Sequence, residues 1–143
     1  MSEPEATGSV AGLLGPAAAA SEGLGTWFAV AAGGACGALA RHALVQASSR
    51  AGIVAPFAIG SVNVLGCFAA GALWSLLERS GQAPWLRPLA ITGFLGAFTT
   101  FSAFSKETVE LLAGGKPALA IGSVLAQVGL GLGAVAVGRT VFA

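Results

Sequence analysis

Apolar residues along this chain neither alternate nor recur every third or fourth position. They fill four long blocks, at residues 24–46, 54–77, 85–112 and 117–142. Each block is long enough to cross a hydrocarbon core, which takes roughly 20 residues as a helix. Between them stand the short polar runs "ASSRAG", "ERSGQAP" and "AGGK", rich in the Gly, Ser and Pro of turns. Pro84 and Pro117 stand at block starts, where a missing N–H costs least. In hydrocarbon every backbone group needs an internal partner, so a spanning segment is a helix or part of a closed barrel. Barrel strands alternate in polarity. These blocks do not, and the pattern predicts an all-α membrane protein with four transmembrane helices.

Composition supports that solvent. The chain is 55% hydrophobic and 9% charged, against about 25% charged in soluble domains. Its mean hydropathy is +0.83. It contains no Asp, and its net charge of +1 offers nothing to nucleic acid. Cys36 and Cys67 lie in apolar runs and read as small buried hydrophobes. Residues 1–22 are Ala/Gly-rich with Glu3 and Glu5, unlike a positively charged signal start. They are expected to form a disordered tail before a four-helix membrane domain at 23–143.

Four spans place both termini on one side of the membrane. Arg79, Arg87 and Arg139 fall on that side, and Arg50, Lys106 and Lys116 on the other. The Lys/Arg bias that usually sets orientation is nearly absent. Such a chain can insert both ways, and two opposed copies would form an antiparallel dimer. Gly33 and Gly37 in the first span, and Gly129 and Gly133 in the last, stand four apart, a spacing that lets helices approach closely.

The polar residues at membrane depth are few. Arg41 stands toward the end of the first block and reads either as an interfacial anchor or as a vestibule charge. Asn63 lies mid-block in "GSVNVLG" and serves either an interhelical hydrogen bond or an anion. The third block carries "GAFTTFSAFS", in which Thr99, Thr100, Ser102 and Ser105 alternate with Phe98, Phe101 and Phe104. A Gly-rich turn before Thr-Thr is a place for a helix to break, and carbonyls freed there must be taken up by protein, water or an ion. Phe101 and Phe104 share a face, and the positive edges of their rings suit an anion.

Three stretches together resemble the Fluc fluoride-channel family: "GFLGAFTTFSAF" at 93–104, "IGSVNVLGCFAAG" at 59–71 and "GGACGALARH" at 33–42. The resemblance spans nearly all of 26–142. It implies a small dual-topology dimer with two fluoride pores and a broken third helix. It implies a structural sodium ion at the dimer centre, held by backbone carbonyls that map to Gly96 and Thr99. By motif position Phe101 and Phe104 match the paired pore phenylalanines, Asn63 the pore asparagine and Ser102 a pore hydroxyl. Arg41 matches the basic residue of the first helix. The family often has Arg-Tyr where this chain has Arg41-His42, and a tyrosine and serines along its fourth helix. This chain has no Tyr, and Ser123, Gln127 and Gly131 stand there instead. Partners implied are fluoride, membrane lipid and a second copy, or a similar second chain.

Fluoride sheds strongly held water on entering a narrow pore. Asn63, Ser102, Ser123, Gln127 and Thr100 would replace those hydrogen bonds, with weaker help from the rims of Phe101 and Phe104. No mid-membrane carboxylate or phosphate loop suggests coupling, so the expected activity is passive export of fluoride across the cell membrane, relieving toxicity. The competing reading is a small multidrug-type, proton-coupled cation exporter. That class needs a membrane-embedded carboxylate, and Glu107 and Glu110 lie only near the end of the third block. A purely structural subunit would explain the glycines but not the Thr/Phe run. No nucleophile–base pair points to an enzyme.

Overall fold

The computed structural model describes residues 23–79 and 84–143. The expected tail at 1–22 lies outside the described residues. Among those described, every regular element is helical. Helix α1 covers Leu24–Arg50 and α2 covers Ala55–Arg79. The third span opens with a π-helical segment, Pro88–Leu95, continued by the single turn α3, Gly96–Phe98. Helix α4 covers Phe101–Ala113 and α5 covers Pro117–Val141. Four stretches are long and apolar enough to cross a membrane: Leu24–Arg50, Ala55–Arg79, Pro88–Ala113 and Pro117–Val141.

Helix α1 runs four residues beyond the expected stop at Gln46. Ser48, Ser49 and Arg50 complete its last turn, and the chain reverses only at Gly52, with φ of +75°. There Gly52 N donates to Ser49 O and Ile53 N to Ser48 O, at 3.1 and 3.0 Å. This double bond closes a helix on a left-handed glycine. Helix α4 ends identically at Gly115, φ +69°, through Gly115 N to Leu112 O and Lys116 N to Leu111 O. Local polarity did not stop α1; the glycine did.

The spans pack as two parallel pairs. Helix α1 lies along Pro88–Leu95, and α2 along α5. Glycines permit both contacts. A Cβ on Gly33 would fall on the carbonyl of Leu89, and one on Gly37 on that of Phe94. A Cβ on Gly71 would meet the carbonyl of Val135, and one on Gly138 that of Phe68. These are backbone atoms and cannot swing aside, so any larger residue must separate the helices. Gly129 and Gly133 behave otherwise, with nothing within 4 Å of their missing Cβ. Their face of α5 is not used within the chain.

The interior that results is thin. Its buried apolar side chains are Ala29, Ala58, Ile59, Val62, Ala72, Leu77, Leu95 and Ala120. Large apolar side chains cover the outside instead, Phe28, Leu39, Leu125 and Leu132 among them. Such an exterior suits lipid or another apolar protein face, not water. Trp27, Trp74 and Trp85, all exposed, gather at one end of the bundle, where α1 and the third span begin and α2 ends. At that end Arg139 also lies over the Trp74 ring, 5.1 Å from its centre.

Candidate functional site

The site is built around two extended residues. Thr99 has φ, ψ of −81°, 156° and Thr100 has −150°, 120°, between the helical turns of α3 and α4. They sit midway along Pro88–Ala113. In a continuous helix the N–H of Thr100 would close on Gly96 O and that of Ala103 on Thr99 O. Both are diverted. Thr100 N donates to Asn63 Oδ1 at 2.9 Å, and Ala103 N to Thr100 Oγ1 at 3.3 Å, the N-cap of α4. The carbonyls of Gly96 and Thr99 thereby lose their usual helical partners.

Asn63 answers the diversion from α2. Its Oδ1 accepts from Thr100 N while its Nδ2 donates to Thr100 O at 3.2 Å. The N–H and C=O of an extended residue point the same way, as in paired strands, so one carboxamide can take both. The same Nδ2 donates to Gln127 Oε1 at 3.3 Å. Gln127 Nε2 then donates to Ser123 Oγ at 3.2 Å, one turn back along α5. Gly60 on α2 leaves room for the Gln127 stem, with its missing Cβ 3.5 Å from Gln127 Cγ and Cδ. On the other side of the kink, Arg41 Nη1 lies 3.5 Å from Thr99 O. A single polar chain therefore crosses all four spans in an otherwise apolar bundle.

From the sequence Arg41 stands toward the end of its block, either as an interfacial anchor or as a vestibule charge. Because α1 continues to Arg50, Arg41 stands about 13 Å from that end and its guanidinium turns to the kink. A charge at that depth costs about 2.5–3.5 kcal/mol on insertion scales, and a carbonyl without a helical partner offsets part of that.

The residues singled out from sequence divide between cavities. Asn63, Thr99, Thr100, Phe101, Phe104 and Gln127 line one of about 270 Å³. The rings of Phe101 and Phe104 stand 5.6 Å apart, tilted by 49°. Phe101 is 79% exposed in the single chain, so its outer face awaits lipid or another protein. Thr100, Ser102 and Arg41 line a second cavity, of about 520 Å³. There Thr100 Oγ1 and Ser102 Oγ are 3.2 Å apart. Ser123 and Gln127 line a third, apolar groove between α2 and α5. Thr100 is shared by the first two cavities and forms the wall between them.

Two neighbours escaped the sequence reading. His42 and Lys106 line the second cavity beside Arg41; the adjacent basic pair 41–42 was the available signal. Lys106 also pairs with Glu110 at 2.6 Å. Glu107 is half-buried, and its Oε2 has no hydrogen-bond partner among the described residues. No group of three His, Cys, Asp or Glu gathers among the described residues.

The family model described as CrcB-like protein, Camphor Resistance (CrcB), matches residues 28–139. The chain belongs to this family. Its relatives include a "Fluoride-specific ion channel FluC" of Saccharophagus degradans, 46% identical over 112 residues, covering 78% of this chain and 84% of the relative. Another of the same name, from Paracoccus denitrificans, is 45% identical over 117 residues, covering 81% and 93%. A third, from Desulfotalea psychrophila, is 39% identical over 111 residues, covering 78% and 87%. The CrcB-like match takes in all four spans and every residue of the polar chain, so this is a multi-pass membrane protein and not an enzyme.

Proposed function

We propose that this CrcB-like chain is a passive, fluoride-selective channel of the cell membrane that relieves fluoride toxicity. One observation carries the reading: a continuous line of amides and hydroxyls at mid-membrane, beside paired phenyl rings, with no acid in it. A small hydrated anion needs donors in place of water, and the cavity lined by Asn63, Phe101, Phe104 and Gln127 offers donors without a fixed cation in its lining. Tight binding would slow exit, and conduction requires weak, repeated contacts. In this reading Asn63, Phe101, Phe104, Thr100 and Gln127 wall the path. Ser102 lies at its Arg41 side and Ser123 at its groove side.

The functional unit we propose is an antiparallel dimer of this chain. Half of the support is chemical: Phe101 and the Gly129–Gly133 face are open in one chain. The other half is symmetry. All three Trp lie at one end of the chain, and interfacial tryptophans occur at both surfaces of a bilayer. Two opposed copies put one set at each surface. The extended Thr99–Thr100 pair then acts as the break in the third helix. A sodium ion fits the donor set there, because neutral carbonyl oxygens of unwound helix suit Na⁺. Gly96 and Thr99 would hold it and it would add central positive charge. Two oxygens from one chain do not complete its shell, and the same two from a second copy would. The guanidinium of Arg41 shares the Thr99 oxygen and would have to yield or tilt.

Purified protein in liposomes tests the function. Fluoride is expected to leave loaded vesicles while chloride stays, and efflux of a quaternary amine driven by a proton gradient would favour the exporter instead. Cysteine labelling of one loop from both sides of the membrane tests the opposed arrangement.

A further inference from the structure

Arg41, His42 and Val45 stand on one stripe of α1 and line the cavity of about 520 Å³, with Thr100, Ser102 and Lys106 across it. Thr100 is clamped there by both of its bonds to Asn63. From α2 only the apolar Ile59 reaches this space. Three of the lining residues are basic, but two are already engaged. The Arg41 guanidinium turns to Thr99 O, 3.5 Å away. Lys106 Nζ pairs with Glu110 at 2.6 Å. Glu107, the other carboxyl of α4, does not line the cavity. His42 is exposed and has no hydrogen-bond partner among the described residues.

The three bases also differ in when they are charged. Arginine and lysine stay cationic far above neutral pH, whereas imidazole gains or loses its charge between pH 5 and 8. Among the described residues of this lining, His42 alone changes charge in that range. Its protonated ring brings a positive charge and two N–H donors; the neutral ring brings one donor and no charge. A concave site lined by one sign of charge concentrates counter-ions and raises their rate of arrival. With Lys106 offset by a carboxylate and Arg41 aimed at the kink, His42 holds the adjustable part of that attraction.

We infer that His42 is the titratable charge of the ion entrance: its protonated form draws fluoride from water into the cavity, and its neutral form lets that capture fall. This rests on the channel reading and adds a pH response to it. Acid speeds release where capture limits the rate, at low fluoride, and changes it little near saturation. Asn63, Thr100 and Gln127, deeper along the path, do not titrate and keep their role at every pH.

Initial fluoride release from liposomes at low salt and low fluoride tests this. The pH is set equal on both sides and lowered from about 8 to about 5.5, across the imidazole range. Protein-free vesicles are subtracted for leak of hydrogen fluoride. Release by the unaltered chain is expected to rise about fivefold, the scale of one added charge near the ion under partial screening. His42→Gln should release slowly at every pH. His42→Lys, cationic throughout, should release fast at every pH. A pH response that survives in either variant overturns the inference, as does a flat profile in the unaltered chain. Salt gives a second measurement that needs no variant. At about 1 M, where charges act over only about 3 Å, the pH response should vanish, and a response of the same size at both salt levels overturns the inference. If no fluoride leaves at any pH, the channel reading fails and this inference with it. If fluoride leaves at a rate indifferent to pH, only this inference does.

Discussion

The two halves of the third span meet the rest of the molecule in opposite ways. Pro88–Phe98 is wedged against α1, with Gly93 and Leu95 buried and with Gly33 and Gly37 giving way to its carbonyls. Helix α4 buries no residue at all, and Phe101 points almost wholly outward. The first half is held by backbone contact and has no room to move. The second is tethered by the Thr100 clamp and by looser contact with α5 and α2. Rigidity on one side of the kink and presentation on the other let a helix carry rings to a path without losing its seat. Stability should reside in the first half and conduction in the second.

Four substitutions and two glycine controls press on that division, from the largest expected effect to the smallest. Gly37→Val puts a branched side chain onto the carbonyl of Phe94. Overpacking costs about 1–3 kcal/mol where side chains can adjust, and backbone here cannot. The expected result is loss of folded protein on size-exclusion chromatography, whereas Gly129→Ala and Gly133→Ala should be harmless to the single chain. Destabilisation by either would place that face against a second copy. Asn63→Leu removes the clamp and strands the N–H and C=O of Thr100. Each unsatisfied buried group costs about 1–3 kcal/mol, so melting should fall and fluoride release should stop. Phe101→Ile should leave melting within about 0.5 kcal/mol, as at an exposed position, yet cut fluoride release at least about tenfold, a barrier change of about 1.4 kcal/mol. A melting loss larger than the flux loss would invert the proposed division. Lys106→Gln should alter neither folding nor selectivity measurably, since its pair with Glu110 is exposed on both sides. Any effect on flux would show as a weaker response at low salt, where the cavity it shares with Arg41 and His42 attracts anions most strongly.

Much of this architecture was legible in the chain. Uniformly apolar blocks allow only helices in hydrocarbon, so four spans followed from length and composition. Gly33 and Gly37 were readable as a contact face. Gly129 and Gly133 show the same spacing and pack on nothing within the chain, because spacing says which face is small but not which face is covered. Arg41 lies deeper than its block suggested for a related reason. Helix α1 ends where Gly52 permits a left-handed turn, not where polarity rises, and four extra residues moved the arginine inward. The Thr/Phe run was visible as the polar stretch of the third block. Its two cavities, and Thr100 as the wall between them, had no signature in the sequence.

The order of residues alone determined the solvent and the number of spans, because these depend on local polarity and length. Only the tertiary structure decided who takes up the diverted bonds. Asn63 and Thr100 are 37 residues apart and Asn63 and Gln127 are 64 apart. A hydrogen bond has a direction that residue identity does not carry. That direction, fixed at Thr100 and passed from amide to amide, exists only once the helices are side by side.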